Sequence, residues 1–196
     1  MPHTATLPLL LKQLKLTSMA RHWEELLPQA QEKGWNGAEY LTALCELELA
    51  ERYSRRITRY AKESQLPAGK SLATFDFSQI PDLSQGQIQA LATTSDWTRQ
   101  TRNILLFGAS GVGKSHLAAA VGHGLTEQGV RVRFVATTAL VQQLQLAREQ
   151  LRLEDALQKL DKYRVLILDD FGYVKRPSRR PRSCSSSSPT ATRPGA

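Results

Sequence analysis

Apolar and polar positions follow a helical period through residues 7–63. A helical segment around Met19–Leu27 follows the first leucines, and Pro28 predicts a kink or a break in it. Gly34–Gly37 predicts a turn, after which a longer helix should run from about residue 38 to residue 62. We expect the inner face of that helix to carry Tyr40, Leu44, Leu47, Ser54, Ile57 and Ala61.

The pattern changes to short apolar runs separated by helices from residue 103 onward. Residues 103–107, 131–135 and 164–168 each predict a strand, and the last of them reads as buried on both faces. A helix should occupy residues 114–127 and end before Gly129, which suits the position after a helix end. Strands that alternate with helices predict an α/β fold with a parallel sheet, preceded by an all-α region.

Residues 64–102 connect these two regions. The stretch 66–70 predicts the end of the long helix, and a short helix is expected around Gln85–Thr93. Phe75 and Phe77 can pack this connector onto the core, which is the usual role of buried aromatic rings, or they can contact an adenine ring. In the α/β region, Thr137 or Thr138 can cap the helix that follows residues 131–135.

Four arginines form a stripe on one face of the long helix, at Arg52, Arg55, Arg56 and Arg59. Their spacing of i, i+3, i+4 and i+7 suits contact with a phosphate backbone. Glu48–Arg52 and Glu51–Arg55 are equally good as i,i+4 pairs that stabilise a solvated helix. Both interpretations stay open.

Charge is unevenly distributed along the 196 residues. The formal net charge is +8, but six of the 26 basic residues lie in 175–196, a stretch that contains no acid. The high net charge is therefore mostly a property of this tail, and it argues only weakly for nucleic-acid binding by the folded part.

Cys45 and Cys184 have no metal-binding spacing and indicate no disulfide framework. No apolar run approaches 18 residues, and the first residues lack a signal-peptide layout. We therefore expect a cytoplasmic protein that has no membrane partner.

The most specific motif is Gly108-Ala109-Ser110-Gly111-Val112-Gly113-Lys114-Ser115. It fits Gly-x-x-x-x-Gly-Lys-Ser/Thr, in which glycines let the backbone wrap around phosphates and the following helix points its N–H groups at them. Lys114 should reach the β- and γ-phosphates, and the Ser115 hydroxyl should bind Mg²⁺. The alternative is an ordinary glycine-rich turn between a strand and a helix. The residues predicted to contact the nucleotide are Gly108, Ala109, Ser110, Gly111, Val112, Gly113, Lys114, Ser115 and His116.

A second nucleotide motif ends the apolar run 164–168. Asp169 follows this run directly and should hold Mg²⁺, while Asp170 can orient or deprotonate an attacking water. The two carboxylates can instead cap a turn after the strand. Because a P-loop precedes them in the same predicted sheet, we favour the metal interpretation.

With both motifs in place, roughly residues 5–176 resemble the IstB-like ATP-binding proteins, AAA+ helpers of insertion-sequence transposition that are related to the DnaC helicase loader. The resemblance rests on Leu14–Leu16 with Met19-Ala20, Glu48–Arg52 up to Arg59, Thr74–Phe77, Gly108–Leu117 and Leu168–Tyr173. It implies an AAA+-like three-layer P-loop sheet and a helical N-terminal domain that contacts a partner protein.

The resemblance also implies a function. ATP and Mg²⁺ are the expected cofactors, DNA and an IstA-like transposase are the expected partners, and the chain should form a homo-oligomer. Position by position, Lys114 and Asp170 take catalytic roles, and Ser115 and Asp169 bind the metal. A DnaC-like helicase loader and a non-hydrolysing remnant that binds DNA or protein are the alternative functions.

An AAA+ domain needs five parallel strands, and the pattern here predicts three. Residues 177–196 contain four prolines and six serines but no Leu, Ile, Val or aromatic residue. We expect this tail to be disordered. Residues 183–192 can be encoded by GC-rich codons, and one such codon set encodes an amphipathic helix when the reading frame starts one base earlier. The hypothesis is a tail read out of frame; the alternative is a natural basic arm. We expect ATP hydrolysis to be weak or absent.

The predicted parts are a helical domain (1–65), a connector (66–102), an incomplete ATPase core (103–175) and the tail (176–196).

Overall fold

The computed structural model describes residues 4–100 and 102–171. Seven helices occupy this part of the chain: α1 (Leu7–Gln13), α2 (Thr17–Glu32), α3 (Gly37–Ser64), α4 (Gln85–Thr93), α5 (Lys114–Glu127), α6 (Thr137–Glu149) and α7 (Leu153–Leu160). Two strands, β1 (Val132–Ala136) and β2 (Val165–Asp169), complete the regular elements, with short 3₁₀ turns at Thr4–Thr6, Leu72–Thr74, Phe77–Gln79 and Asp96–Arg99. The predictions for the tail, including Cys184, lie outside the described residues.

Helices α1, α2 and α3 form the helical region that the sequence predicts. Leu11, Met19 and Leu44 are buried together, and Trp23 and Tyr40 are among the side chains that pack around them. Helix α3 begins with a capping box, in which Asn36 accepts from the N–H groups of residues 38 and 39 while Glu39 accepts from the N–H of residue 36. The expected inner face is only partly right, because Leu47, Ser54 and Ala61 are exposed.

The sequence predicts a kink or a break at Pro28; the break is wrong, and the kink stays a prediction. Helix α2 continues through Pro28 to Glu32, although the ring removes one backbone hydrogen bond. This helix packs against both α1 and α3. Tertiary contacts therefore override the local signal.

The beginning of α2 is capped by a residue from another helix. No side chain of α2 itself caps this end. Glu48 of α3, which is 3% exposed, accepts from the N–H of Ser18 at 2.7 Å and from the N–H of Met19 at 3.1 Å. The same carboxylate accepts from Arg52 Nε at 2.7 Å. A buried charge thus joins two helices and is satisfied on both oxygens.

Strands β1 and β2 pair in parallel, with Val132 opposite Val165 and Ala136 opposite Asp169. The predicted strands 131–135 and 164–168 are each confirmed to within one residue. Helix α5 packs against both strands, while α3 and α6 contact β1. The α/β class with a preceding helical region is therefore present, with a sheet of two strands among the described residues.

Helix α5 contains glycines because its neighbours approach closely. A Cβ on Gly124 would lie 2.8 Å from both Cβ and the carbonyl oxygen of Ala92 in α4. A Cβ on Gly122 would lie 2.8 Å from Ile167 Cδ1 in β2. The two glycines let α4 and β2 reach the backbone of the helix that follows the P-loop.

The predicted strand 103–107 is wrong. Residues 102–109 have no regular structure, and Leu105 and Phe107 are 73% and 86% exposed. A strand in a parallel sheet needs neighbours to accept and donate its backbone hydrogen bonds. Among the described residues, β1 and β2 pair only with each other, and residues 103–107 add to neither free edge of this sheet.

The expectation that 164–168 is buried on both faces is also wrong. Burial alternates along β2, and Leu166 and Leu168 remain partly exposed. In the described part of the chain, one side of this strand has no layer that covers it. The apolar run therefore predicts more burial than the structure shows.

The division into four parts stays a prediction. Helix α3 contacts both β1 and α5, so the helical region and the α/β region touch along this helix. Over residues 4–100 and 102–171, none of the helices combines the length and apolarity needed to cross a bilayer.

Candidate nucleotide-binding site

The glycine-rich loop leads directly into α5, as the sequence predicts. The helix begins at Lys114, and its N-cap is Gly113 in the left-handed conformation, with no side-chain cap. The first N–H groups of an α-helix lack partners within the helix. An N-terminus without a capping side chain, which faces a loop of small residues, suits an anion such as a phosphate.

Three glycines in the loop adopt conformations that disfavour other residues, with φ = 154° at Gly108, 84° at Gly111 and 86° at Gly113. Gly113 is also constrained from outside, because a Cβ there would lie 2.8 Å from Phe75 Cε2. The ring of Phe75 therefore packs against the loop. Of the two roles that the sequence leaves open for Phe75, this contact favours packing.

Lys114 turns back onto its own loop. Its Nζ donates to the carbonyl oxygen of Gly108 at 3.0 Å and to that of Ala109 at 2.6 Å. The ammonium thus sits beside the first residues of the motif, where it can exchange carbonyl partners for phosphate oxygens. Ser110, Gly111 and Val112, at the tip of the loop, are exposed.

The structure brings the two predicted metal ligands together. Ser115 Oγ, in the first turn of α5, donates to Asp169 Oδ1 at 2.7 Å, at the carboxyl end of β2. Thr137 Oγ1 donates to the carbonyl oxygen of Asp169 at 2.7 Å and so fixes the end of the strand. These residues are far apart in the sequence, and their contact joins the two nucleotide motifs into one site.

The donor set fits Mg²⁺. A hydroxyl and a carboxylate are the oxygen ligands that this ion takes, with water and substrate phosphates usually completing its shell. Among the described residues there is no group of three His, Cys, Asp or Glu side chains that could enclose a metal by themselves. The site therefore suits an ion that arrives with a nucleotide rather than a permanently caged one.

His116 faces the connector. Its Nε2 lies 3.0 Å from the carbonyl oxygen of Ser71 and 3.2 Å from Thr74 Oγ1, and its ring meets Phe75 edge-on at 5.3 Å between centroids. Its side chain therefore tethers residues 71–75 to α5. Only its main chain shares the helix N-terminus with Lys114 and Ser115.

Asp170 is exposed and has φ = 55°, an unusual conformation for a residue other than glycine. It makes no ion pair with the residues in 4–100 or 102–171. It lies directly after Asp169, but no contact aims it at the glycine loop. Its predicted role as the group that activates water stays a prediction.

Sequence reasoning missed the contacts that support this site. The sequence suggests Thr137 or Thr138 as an N-cap, yet Ala136 occupies that position, and the Thr137 hydroxyl bonds to Asp169 instead. The packing of Phe75 on Gly113 was missed as well. Both contacts join distant parts of the chain, and the Thr74-Phe75-Asp76-Phe77 segment beside the motif was the one signal available.

A family profile matches most of the chain. The profile of the IstB-like ATP binding protein family matches residues 9–180. This range contains most of the helical region, the connector, the glycine loop and both aspartates.

Individual proteins give the same result. An insertion-sequence ATP-binding protein of Sinorhizobium fredii is 48% identical over 172 residues, which cover 88% of this chain and 58% of that protein. The IS21 ATP-binding protein of Pseudomonas aeruginosa is 37% identical over 86% of this chain and 63% of its own length. A counterpart from Geobacillus stearothermophilus is 36% identical over 83% of this chain and 64% of its own. The chain thus spans about three fifths of the length of these curated relatives.

Proposed function

This chain belongs to the IstB-like ATP-binding protein family, and on that premise we propose that it binds ATP with Mg²⁺ and assists the transposition of an insertion sequence. The observation that carries the nucleotide part is the bond from Ser115 Oγ to Asp169 Oδ1 at 2.7 Å, beside a helix N-terminus without a side-chain cap. The names of the relatives, which describe ATP-binding proteins of insertion sequences, support the biological setting.

In this proposal each residue has one task. The loop from Gly108 to Gly113 surrounds the phosphates, and the main-chain N–H groups at the start of α5 donate to them. Lys114 leaves its two carbonyl partners and neutralises phosphate charge. Ser115 and Asp169 hold Mg²⁺, which supplies further neutralisation of that charge. His116 contributes through its main chain, while its ring keeps the connector in place.

Hydrolysis is expected to be weak or absent. Asp170 is the candidate for orienting the attacking water, and it is exposed and makes no ion pair with the residues in 4–100 or 102–171. Phosphoryl transfer depends on such positioning more than on covalent chemistry by the protein. Nucleotide binding needs only the loop, α5 and Asp169, so binding and hydrolysis are separable here.

Mg²⁺-ATP titration by calorimetry tests the nucleotide site. Lys114→Ala should weaken binding at least tenfold, because it removes the charged partner of the phosphates. Lys62→Ala, which removes an exposed charge from α3, is the matched control and should bind as the parent chain does. Equal affinities for parent and Lys114→Ala would overturn the proposal, with circular dichroism confirming that both are folded.

DNA, a transposase and further copies of this chain are the proposed partners. Co-purification with the transposase from the same insertion sequence tests the second, and sedimentation with and without Mg²⁺-ATP tests self-association. Failure to retain that transposase would favour a role in replication, as in a DnaC-like helicase loader.

A non-hydrolysing protein that binds DNA or protein is the second candidate. The observation that favours it is the exposed segment 102–109, since a P-loop usually follows a strand held in a sheet. DNA binding that is unchanged by Lys114→Ala and by added ATP would favour this candidate over the first.

A further inference from the structure

Three arginines and two tyrosines alternate in space along one side of the molecule. Arg59 and Arg131 lie over the ring of Tyr60, at 5.5 and 5.7 Å from its centroid. Arg131 and Arg133 lie over the ring of Tyr163, at 5.1 and 5.9 Å. We call this set the arginine–tyrosine ladder. It joins the end of α3 to β1 and to the residues just before β2.

The ladder is fixed by Glu63 of α3. Arg131 donates to Glu63 Oε2 through Nη2 at 2.7 Å and through Nε at 3.0 Å. Arg133 donates to the main-chain oxygen of Glu63 at 2.9 Å. The charge of Arg131 is therefore offset, while Arg133 is held by a neutral carbonyl and keeps its charge. Its guanidinium is positioned before any partner arrives.

An open pocket of ≈ 540 Å³ adjoins the ladder between β1, α6 and α7. Arg152, Lys159 and Lys162 line it together with Arg131 and Arg133, and Asp155 is the one acid in its lining. Within residues 4–100 and 102–171, Arg133, Arg152, Lys159 and Lys162 have no carboxylate within 4.0 Å. The pocket therefore concentrates positive charge that the described part of the protein leaves unpaired.

This surface differs from both sites that the sequence singles out. None of the pocket's lining residues belongs to the glycine loop or to the Asp169–Asp170 pair. It also differs from most of the arginine stripe on α3. Arg52 is bound to Glu48 and Arg55 to Glu51, so the two i,i+4 pairs that the sequence offers as an alternative do form.

We propose that the arginine–tyrosine ladder and its adjoining pocket bind the phosphodiester backbone of duplex DNA. This proposal rests on the proposed function, because it assigns a surface to the DNA partner named there. Four cations with no carboxylate partner among the described residues surround one opening, and they suit several phosphates better than one. Each tyrosine ring is already contacted by two guanidinium groups, so the rings are poorly available for stacking on unpaired bases. The contact is therefore with the backbone, independent of sequence and strongly dependent on salt.

Salt-dependent binding of the full chain to duplex DNA tests this assignment. The test variant combines Arg152→Gln, Lys159→Gln and Lys162→Gln, which remove three cations of the pocket. The control variant combines Lys12→Gln, Lys33→Gln and Arg99→Gln, which remove the same charge from exposed positions outside it. The basic residues of 175–196 are present in both variants and cancel in the comparison.

We expect the test variant to bind at least tenfold more weakly near 0.1 M salt. Its plot of log K against log salt concentration should be shallower by about 0.9 for each phosphate that the protein no longer neutralises, or between about two and three for the triple change. The control should keep the slope of the parent chain. Mg²⁺-ATP calorimetry on the same preparations confirms that the variants are folded.

Equal slopes for the test and control variants would overturn the assignment while leaving DNA as a partner elsewhere on the chain. No binding of duplex DNA by the parent chain would overturn both the assignment and the DNA part of the proposed function. Unchanged DNA binding by the test variant, with weaker binding to poly-L-glutamate, would overturn it in favour of an acidic polypeptide as the occupant of this surface.

Discussion

Apolar residues are buried in the helical region α1–α3 but exposed in the segment that leads into the P-loop. Leu11, Met19 and Leu44 are buried against one another, whereas Leu105 and Phe107 lie mostly in solvent. Helices satisfy their backbone hydrogen bonds internally, so they need only side-chain packing from their neighbours. A strand needs a neighbouring strand as well. The contrast shows that apolar sequence alone does not bring a segment into a sheet.

The two regions also differ in how they use charge. Burial acts to raise the pKa of Glu48, but hydrogen bonds from Met19 N–H, Arg52 and Ser18 N–H outweigh it and hold the pKa below its ordinary value. A hydrogen bond from the Ser18 hydroxyl is the main cause that lowers the pKa of Glu51. In the helical region these charges hold helices together. At the P-loop, the polar groups of Lys114 and Ser115 have partners that a ligand can replace.

The largest effect is expected for Glu48→Ala, which breaks the contact between α2 and α3. Two N–H groups at the start of α2 would lose their acceptor, and Arg52 would lose its carboxylate. Leaving buried donors unpaired costs on the order of 1–3 kcal/mol, and we expect the upper end in urea unfolding. Glu46→Ala, an exposed change in the same helix, is the control and should cost less than about 0.5 kcal/mol. Equal losses would show that Glu48 does not cap α2.

A second substitution, Gly113→Ala, tests the loop against the connector. The new Cβ would clash with the ring of Phe75. The alanine would also have to adopt the left-handed backbone conformation of Gly113, which costs about 1–2 kcal/mol for a residue with a Cβ. We expect Mg²⁺-ATP affinity to fall about tenfold or more, because the start of α5 must shift. Gly86→Ala, at an open position in α4, should leave ATP affinity unchanged. Restored affinity in Gly113→Ala combined with Phe75→Ala would identify the contact, rather than φ, as the main cause.

Acid should lower the free energy of unfolding of the helical region, because carboxylates hold its helices together. Because the folded-state pKa of Glu48 is below its ordinary value of 4.5, its stabilisation is complete above that value and is lost as the pH falls through the folded pKa. Glu51 acts in the same direction. Stability measured by urea from pH 6 to pH 3 should fall more steeply for the parent chain than for Glu48→Gln. Parallel curves would contradict the assignment.

The smallest effect is expected for Arg21→Ala. Arg21 pairs with Glu51 at 2.5 Å, but its side chain is 59% exposed. Exposed pairs contribute about 0–1 kcal/mol, and salt screens them. Urea unfolding should therefore place this variant within about 1 kcal/mol of the parent chain, and a loss as large as that of Glu48→Ala would show that Glu51 carries the contact.

Sequence reasoning succeeded where the structure is decided locally. Helices α4 and α5 have the predicted bounds, because Ser84 caps the first and the glycine loop opens the second. Gly129 has φ = 76° and follows the end of α5 as expected. The parallel pairing of the two strands is also as inferred, and it brings Ser115 next to Asp169, while their binding of one metal ion stays a prediction.

It failed where distant residues decide the outcome. Helix α2, which packs against α1 and α3, continues through Pro28, and residues 103–107 pair with neither strand of the described sheet. The stripe at Arg52 and Arg55 was ambiguous because pairing with glutamates and contact with phosphates require the same spacing. No local pattern brings Arg59, Arg131 and Tyr163 together, so the ladder was visible only in the structure.

The central claim is that α5 and Asp169 position the P-loop although no sheet strand precedes it. Amide hydrogen exchange tests this claim most directly. The account predicts slow exchange in α3, β1 and the interior of α5, and exchange near the unprotected rate at residues 103–107. Added Mg²⁺-ATP should protect the start of α5. Protection at 103–107 equal to that of β1 and β2, in the chain without nucleotide, would contradict the account and show that these residues belong to the sheet.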